Sequence, residues 1–256
     1  MVAIYIYKVS RALSVALLCM VSGVLCAQRV EAVDLGLSVI WANMNVGAES
    51  PDDYGDYFAW GEVSPKRYYG SNGARSTYKH LENLIFHKYN YAPVSTPSVV
   101  DDILRLQPVD DAATKRMGKG WRMPTDDEMN ELLDTAKCVI THGVLNGTRG
   151  FWVTRRRPME VSEQMRKNST VKRDSLFLPM AGYKDFGTRR FFPGTQCYYW
   201  TSTLIEPDSL SVAKTDSLVR ERVWTAKCFM YSGKNFPRVG FFNRGNGCVI
   251  RAVRSR

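Results

Sequence analysis

Apolar residues alternate with other residues over one stretch near the N-terminal end of the chain. The alternating positions are Val33, Leu35, Leu37, Val39 and Trp41. An apolar residue at every second position is typical of a half-buried β-strand, so the pattern predicts a strand over residues 33–41. Met44 and Val46 continue the apolar pattern on the other face, which predicts a β-bulge near Asn43.

The segment after residue 120 carries the strongest signals for the start of a helix. Thr125 and Glu128 form the T-x-x-E pattern of a capping box, and Pro124 fixes φ just ahead of it. An apolar stripe at helical spacing follows, formed by Met129, Leu132, Leu133 and Ala136. The pattern predicts a helix over 125–137, with the stripe and Trp121 in the core. A short helix is predicted before it, over 110–117.

The rest of the chain predicts short strands separated by loops. Residues 51–61 indicate a turn followed by an aromatic strand, whereas residues 62–100 show no periodicity and indicate long loops. Further strands are predicted over 151–154, 176–178, 197–203, 223–231, 239–242 and 249–253.

These elements predict a single α+β domain over residues 28–256. Neither an internal repeat nor a Pro/Gly/Ser-rich linker divides the chain. The expected architecture has two helices, a small mixed or antiparallel sheet and long loops. Because strands are predicted near both ends, we expect the N- and C-terminal strands to lie adjacent and close the domain.

Residues 1–27 differ in composition from the rest of the chain. Lys8 and Arg11 precede an apolar run over 12–27 that contains no acidic residue. A basic segment, an apolar run and a small residue at a cleavage point are typical of a signal peptide. A membrane anchor is the alternative, but a spanning helix needs about 20 apolar residues. The favoured prediction is a signal peptide, a mature chain without a transmembrane span, and a secreted or cell-surface location.

Charge bears on the choice of partner. The 35 basic and 25 acidic residues give a net charge of +10, which attracts polyanions. Seven of the basic residues concentrate in one stretch: Arg155, Arg156, Arg157, Arg166, Lys167, Lys172 and Arg173. Acidic neighbours dilute this run, so a solvated loop is favoured, with an acidic glycan or an anionic surface as the next choice. Nucleic acid is not predicted as a partner.

Four cysteines follow the predicted signal peptide: Cys138, Cys197, Cys228 and Cys248. In an exported protein an even number allows two disulfides, with three connectivities. Burial of the four thiols as small hydrophobic groups is the equal alternative. No C-x-x-C pair is present, which disfavours a zinc site.

Six blocks along the chain resemble one known family. They are 33–48 (VDLGLSVIWANMNVGA), 53–62 (DYGDYFAWGE), 110–114 with 120–128 (DDAAT and GWRMPTDDE), 175–184 (SLFLPMAGYK), 198–203 (YYWTST) and 247–254 (GCVIRAVR). In this order they resemble the Fibrobacter succinogenes major paralogous domain, common in exported proteins of gut Bacteroidetes. The resemblance implies a C-type-lectin-like fold, distantly related to the formylglycine-generating-enzyme group. Val249 and Ala252 depart from the family's usual final block.

The residues do not form a catalytic or metal-binding pattern. His80, His87 and His142 lack the spacing of metal ligands and are expected on loops or the surface. The formylglycine-generating relatives use a close pair of C-terminal cysteines, whereas Cys228 and Cys248 are 20 residues apart. Neither a Gly-rich phosphate loop nor a G-x-S-x-G motif is present. We therefore expect no enzyme activity, no catalytic residue, no metal and no cofactor.

One triplet, Glu206-Pro207-Asp208, is close to the Glu-Pro-Asn triplet with which vertebrate C-type lectins bind calcium and sugar. Its companion Trp-Asn-Asp triplet is missing, because Trp224 is followed by Thr225 and Ala226. A plain acidic turn is therefore the favoured interpretation.

The remaining candidates are residues that suit recognition of a ligand. Polar side chains over 232–247 could hydrogen-bond a glycan or a protein epitope, although turn residues need no function. An aromatic strand at 198–200 adds a ring that could stack on a sugar. The candidate set is Asn235, Arg238, Asn243, Arg244, Asn246 and Tyr199. Specificity is expected in the loops over 155–174, 204–222 and 232–247.

The leading hypothesis is an exported, non-enzymatic module that recognises a glycan or protein ligand at a bacterial surface, in recognition or adhesion. A structural or tip subunit of a surface assembly is the alternative. A remote oxidase-type enzyme of the formylglycine-generating group ranks third.

Overall fold

Most elements of the fold are short strands. A computed structural model describes residues 30–70, 79–80, 85–86, 88–89, 101, 103–118, 120–156, 175–185, 187–205 and 225–256. Its strands are β1 (Ala32–Val33), β2 (Val39–Asn45), β3 (Lys79–His80), β4 (Ile85–Phe86), β5 (Cys138–Leu145), β6 (Thr148–Arg155), β7 (Ser175–Pro179), β8 (Tyr183–Lys184), β9 (Arg190–Phe191), β10 (Cys197–Leu204), β11 (Thr225–Tyr231), β12 (Arg238–Asn243) and β13 (Arg251–Ser255). The helices described are α1 (Ala112–Met117) and α2 (Asp126–Leu133).

The strands pair in small antiparallel sheets, with the orders β1-β2-β13, β5-β6-β7, β10-β11-β12, β3-β4 and β8-β9. The protein is therefore mixed α+β, as predicted. None of the helices in the described part of the chain is long and apolar enough to cross a bilayer. The predicted signal peptide and most of the loop predicted over 62–100 lie outside the described residues.

The strands near the two ends of the chain share one sheet, because β1 and β13 both pair with β2. The predicted pairing of terminal strands is confirmed. Asn45 lies opposite Arg251 and Trp41 opposite Val253, so a step of four residues in β2 matches a step of two in β13. The register therefore shifts at the position where a bulge is predicted near Asn43, with two extra residues in β2 rather than the single extra residue of a simple bulge.

The alternating pattern over 33–41 reflects burial but not one continuous strand. All five apolar side chains are at most 4% exposed, as the pattern predicts. However, a turn separates β1 from β2, and in it the Gly36 N–H donates to Asp34 Oδ1 at 2.8 Å. The predicted single strand is wrong because Gly36 has a φ of +73°, in the left-handed region that interrupts a pleat.

Helix α2 begins as predicted and ends early. The Glu128 N–H donates to Thr125 Oγ1 at 3.2 Å, and the Thr125 N–H donates to Glu128 Oε2 at 2.8 Å, which confirms the capping box. The helix ends at Leu133, where Asp134 follows. The Asp134 side chain accepts the Ala136 N–H at 2.8 Å, and such local bonds compete with helical ones. Ala136 is therefore exposed and does not belong to the core.

Trp121 is only half-buried, which corrects its predicted place in the core. The guanidinium carbon of Arg254 lies 5.2 Å from the centre of its ring. Met123 is 2% exposed and fills the buried position near the start of α2 instead.

Strand β5 is absent from the strands predicted above. It forms a hairpin with β6 through the two-residue turn Asn146-Gly147, with φ values of +48° and +87°. An Asn-Gly pair favours this turn, because both central residues must adopt positive φ. The same dipeptide in the sequence was thus a usable signal for the hairpin.

The β10-β11-β12 sheet is anchored to the centre of the molecule through β10, all eight residues of which are buried. The Trp200 N–H donates to the Val249 carbonyl at 3.0 Å, and Trp200 Nε1 donates to the Phe58 carbonyl at 2.8 Å. The core-facing side of this sheet contributes Tyr199 and Phe229 to the main hydrophobic cluster, which also holds Trp41.

Arg251 lies at the centre of the fold and is completely buried. Its guanidinium donates to Asn45 Oδ1 at 2.9 Å, to the Ala42 carbonyl at 3.1 Å and to the Phe177 carbonyl at 2.9 Å. Burial lowers the pKa of Arg251 to about 10, so the side chain stays charged at neutral pH. One cation therefore joins β13, β2 and β7 through acceptors that are all neutral.

We expect Arg251→Ala to destabilise the protein by about 3 kcal/mol, because it leaves several buried acceptors without a donor and opens a void. Urea unfolding followed by circular dichroism measures the change. Arg254→Ala is the matched control: its side chain is exposed, and loss of the contact with Trp121 is expected to cost about 0.5–1 kcal/mol. Equal losses in the two variants would contradict the central role of Arg251.

Acid is expected to weaken the start of α2. Burial by itself raises the pKa of Asp126 and of Glu128. The Lys227 ammonium, 2.5 Å from Asp126, and the Arg122 guanidinium, paired with both Glu128 oxygens, more than offset this. Both pKa values are therefore lowered.

Because the folded pKa values lie below the unfolded ones, the stabilisation is fully present above about pH 5 and is lost as pH falls through the folded values. Urea midpoints measured between pH 7 and pH 2 should fall with acid. The fall should be shallower in Asp126→Asn with Glu128→Gln, and an unchanged profile would count against these two pairs.

Candidate functional site

Three of the six predicted ligand-binding residues are buried, which corrects their assignment. Tyr199 is 0% exposed, and its hydroxyl donates to the Pro179 carbonyl at 2.8 Å. Arg244 is 5% exposed, and its guanidinium donates to the Tyr89 carbonyl at 2.8 Å and lies 5.0 Å from the Trp60 ring centre. Asn246 is 6% exposed. Tyr199 and Arg244 therefore stabilise the scaffold, and all three side chains are too buried to meet a ligand.

The other three predicted residues lie at or near the surface without forming a site. Asn235 and Arg238 are exposed at the β11–β12 hairpin, and Asn243 is half-buried. The Asn243 Oδ1 accepts the Gly245 N–H at 2.9 Å, which is a turn role. Arg238 pairs with Met230, so its side chain lies on the side of the sheet away from Phe229 and the main cluster.

A groove opens where the core-facing side of the β5–β6 hairpin extends beyond the core. Along β6, Val153 and Phe151 are buried, and Arg149 on the same face is exposed. Across the hairpin, His142 lies opposite Phe151 and Val144 lies opposite Arg149. Directly opposed residues project to the same side, so all of these side chains follow one surface.

The groove runs from this hairpin to the end of β11 and the turn before β10. Its volume is about 490 Å³, within the roughly 300–1,000 Å³ range of small-molecule sites. The lining residues are His142, Gly143, Val144, Arg149, Gly150, Met180, Gly194, Thr195, Tyr231 and Gly233. The hairpin that carries Asn235 begins at Gly233, so only this end of the predicted 232–247 loop borders the groove.

One wall of the groove is aromatic. The His142 ring centre lies 4.6 Å from that of Phe151 and 5.4 Å from that of Tyr231. Tyr231 in turn meets Phe151 edge-on at 5.0 Å. Because Phe151 is fixed in the core, this contact holds the two outer rings in place.

Two glycines of the groove lining have different roles. At Gly194, with a φ of +77°, a side chain would point into open space, so the main chain is open to a ligand there. At Gly150, an added Cβ would lie 2.5 Å from the Leu178 carbonyl oxygen, so no larger residue fits without a shift. Gly150 therefore allows β6 to pack closely beside β7.

The charge of the groove comes from Arg149, which makes no ion pair or hydrogen bond through its side chain with any residue that the structure describes. Among the described residues that line the groove, none is acidic. Lys234 extends from the adjacent hairpin and is exposed. The nearby Asp52 accepts a hydrogen bond from the Asn146 side chain at 3.2 Å in the β5–β6 turn and does not line the groove.

His142, which the sequence places on a loop or at the surface, is exposed and lies on strand β5. Arg149 and Tyr231 were not among the predicted ligand-binding residues. The Asn146-Gly147 turn was the signal that could have found Arg149, because it places Arg149 across the hairpin from Val144.

A second cavity, of about 480 Å³, lies at the start of α2, and its polar groups already bond to one another. Asp111 accepts the N–H groups of Thr114 at 2.9 Å and Met123 at 2.8 Å. Arg122 and Glu128 form a two-bond ion pair. Burial raises the pKa of Asp111, although these N–H groups oppose the shift. The arrangement fixes the helix and leaves few groups for a ligand.

The four cysteines are free and buried, which favours the interpretation as small hydrophobic groups over that as disulfides. Burial raises the pKa of Cys138 to about 11 and also raises the pKa values of Cys197 and Cys248. A nucleophilic cysteine requires the opposite shift. Within the described ranges, no group of three or more His, Cys, Asp or Glu residues is arranged to hold a metal ion.

Several predicted features rest on residues or side chains outside the described part of the chain. The Glu206-Pro207-Asp208 triplet, the side chains of His80 and His87, and the basic run from Arg157 onward lie outside the described residues. Of that basic run, Arg155 packs against Gly36, and Arg156 Nε donates to the Thr135 carbonyl at 2.7 Å.

Comparison with known proteins adds no relative: no family model matches the chain, and neither a curated protein nor a solved structure matches it.

The four thiols are expected to resist alkylation in the folded protein because all are buried and three have raised pKa values. Iodoacetamide labelling at pH 8, with peptide mass spectrometry to identify each cysteine, should modify them only after unfolding in urea. Failure to label Cys228 and Cys248 in urea without a reductant, with labelling after reduction, would instead reveal a disulfide.

Proposed function

We propose that this protein is an exported, non-enzymatic recognition module of a bacterial surface that binds a saccharide in the groove of His142, Arg149 and Tyr231. The observation that carries the proposal is a groove of small-molecule size with one aromatic wall, open backbone at Gly194 and a guanidinium that has no partner among the described residues. Its composition suits a sugar, which presents an apolar ring face and many hydroxyl groups.

The geometry of the groove supports binding without a large rearrangement. Tyr231 and His142 are held by the buried Phe151, so their rings are in position before a ligand arrives. Little side-chain entropy is then lost on binding. The Thr195 hydroxyl, which donates to the Phe192 carbonyl at 3.1 Å, keeps its lone pairs for a ligand hydroxyl.

The non-enzymatic part of the proposal rests on the state of the candidate nucleophiles. The buried thiols of Cys138, Cys197 and Cys248 have raised pKa values, which weakens the analogy with the cysteine pair of the formylglycine-generating group. The part of the groove that the structure describes contains one imidazole and one guanidinium, without a carboxylate to act with them.

The finer fold assignment is also a proposal. We place the chain in the C-type-lectin-like class and among the Fibrobacter succinogenes major paralogous domains. Support comes from the six sequence blocks, the paired terminal strands and the capped helix after the Gly-Trp-Arg-Met-Pro-Thr motif. Export rests on the composition of residues 1–27 alone.

A bulky side chain in the groove should abolish saccharide binding. Val144 is 59% exposed in the lining, so Val144→Trp is expected to occupy the groove without disturbing the core. The measurement is a glycan-array screen of the purified protein, followed by calorimetry on any hit. Val109→Trp is the matched control, because Val109 is 56% exposed outside the groove.

Binding that survives Val144→Trp would place the saccharide elsewhere and sink the groove assignment. Absence of any saccharide binding by the unmodified protein, or turnover of a bound ligand, would sink the proposed function itself.

A subunit role in a surface assembly is a second candidate, favoured by one observation. Phe236 and Phe241 are 52% and 58% exposed, in the β11–β12 turn and on β12. Exposed aromatic side chains are enriched where protein partners dock. Co-purification of a stable partner from native membranes, lost in Phe236→Ser with Phe241→Ser, would support this role, and a monomer in both cases would contradict it.

A further inference from the structure

The charge of the groove restricts the kind of saccharide that fits. Arg149 is exposed at one end, makes no ion pair with any described residue, and has no carboxylate beside it in the lining. A guanidinium is a planar donor whose geometry matches a carboxylate through two parallel hydrogen bonds. A guanidinium at the mouth of the groove, without an ion-pair partner among the described residues, can thus bind a carboxylate of a ligand.

The position of Arg149 relative to the rings defines a two-part site. Arg149 and Phe151 are alternate residues on the same face of β6, and Phe151 supports the rings of His142 and Tyr231. Alternate residues of a strand are about 7 Å apart, which is close to the width of a sugar ring with its exocyclic group. A ring packed on the aromatic wall can therefore direct an acidic substituent towards Arg149.

The surroundings favour a negative ligand over a neutral one. Lys234 adds a second exposed cation on the bordering hairpin. Without Lys8 and Arg11 of the predicted signal peptide, the chain has 33 basic and 25 acidic residues, a net charge of +8. Asp52, the acidic residue bonded to the β5–β6 turn, is already engaged with Asn146. A field of this sign raises the local concentration of an anion and speeds its association.

The backbone next to Arg149 leaves room for the substituent. Val144, opposite Arg149, is largely exposed, so the surface beside the guanidinium is open to solvent. Arg149 is itself fixed at its main chain, because its carbonyl accepts the Met180 N–H at 2.8 Å. The guanidinium thus extends from a rigid point at the edge of an open surface.

We infer that the groove selects an acidic sugar, with the ligand carboxylate bound by the Arg149 guanidinium and the ring face packed on Tyr231 and His142. The inference rests on the proposed saccharide-binding function and adds the class of saccharide and the residue that selects it.

The test compares sugars that differ only in charge. Isothermal titration of the purified protein uses galacturonate, glucuronate and N-acetylneuraminate oligosaccharides, each beside its methyl ester, which has nearly the same size and no charge. At least one acid is expected to bind about tenfold or more tightly than its ester, which corresponds to about 1.4 kcal/mol. The difference should shrink at high salt, because the carboxylate and Arg149 are accessible to solvent.

Variants assign the selectivity to one side chain. Arg149→Gln should remove the preference for acid over ester, and Arg149→Lys should restore only part of it, because an ammonium keeps the charge but not the paired bonds. Tyr231→Ala should weaken acid and ester alike. Arg238→Gln is the matched control, since Arg238 is exposed on the other side of the neighbouring sheet, and it should leave the preference intact.

The outcomes separate the two levels of the proposal. If acid and ester bind equally and Tyr231→Ala weakens the binding of both, the acidic selectivity is overturned and the saccharide function stands. A preference that persists in Arg149→Gln would overturn the role of Arg149. If no acid and no ester binds while neutral glycans bind on the array, the acidic selectivity fails, and if no saccharide binds at all, the proposed function fails with it.

Discussion

The fold depends on one buried cation. Arg251 belongs to the last strand, yet its guanidinium reaches a carbonyl and an amide oxygen of β2 and a carbonyl of β7. Burial of a guanidinium without acceptors for its N–H groups is strongly unfavourable, so we expect these three hydrogen bonds to form together. The chain cannot satisfy Arg251 until β13 has returned to β2 and β7 has packed beside them. This requirement couples the two ends of the protein to its middle.

Features that depend on residues close together in the sequence could be predicted from it. The capping box at Thr125 and Glu128, the bulge in β2 and the burial of alternate residues over 33–41 all follow from contacts or spacings of a few residues. The errors arose where a competing local bond was missed. Asp134 ends α2 early by accepting the Ala136 N–H, and the Gly36 turn breaks a strand whose side chains remain buried.

The site was harder to predict because polar residues serve two purposes. Arg244 and Asn246 have the composition of a ligand-binding loop, but in the folded chain Arg244 bonds to carbonyls from distant segments and stacks on Trp60. Tyr199 was a plausible stacking ring until the order of the strands placed it on the core side of β10. The Asn146-Gly147 turn signals the local pairing that places Arg149 across from Val144, whereas the packing of Tyr231 beside this hairpin depends on segments far apart in the chain.

The outer end of the β5–β6 hairpin lies beyond the core. Phe151 and Val153 anchor the hairpin, whereas Val144 and Arg149 extend past the anchored part and are exposed. His142 is also exposed, but it lies opposite Phe151 and contacts its ring. The residues that stabilise the hairpin and those that line the groove thus occupy different positions on the same two strands. Substitution of Val144 or Arg149 leaves Phe151 and Val153 in place. Evolution can therefore change the ligand of the groove at a few positions without first acquiring a more stable fold.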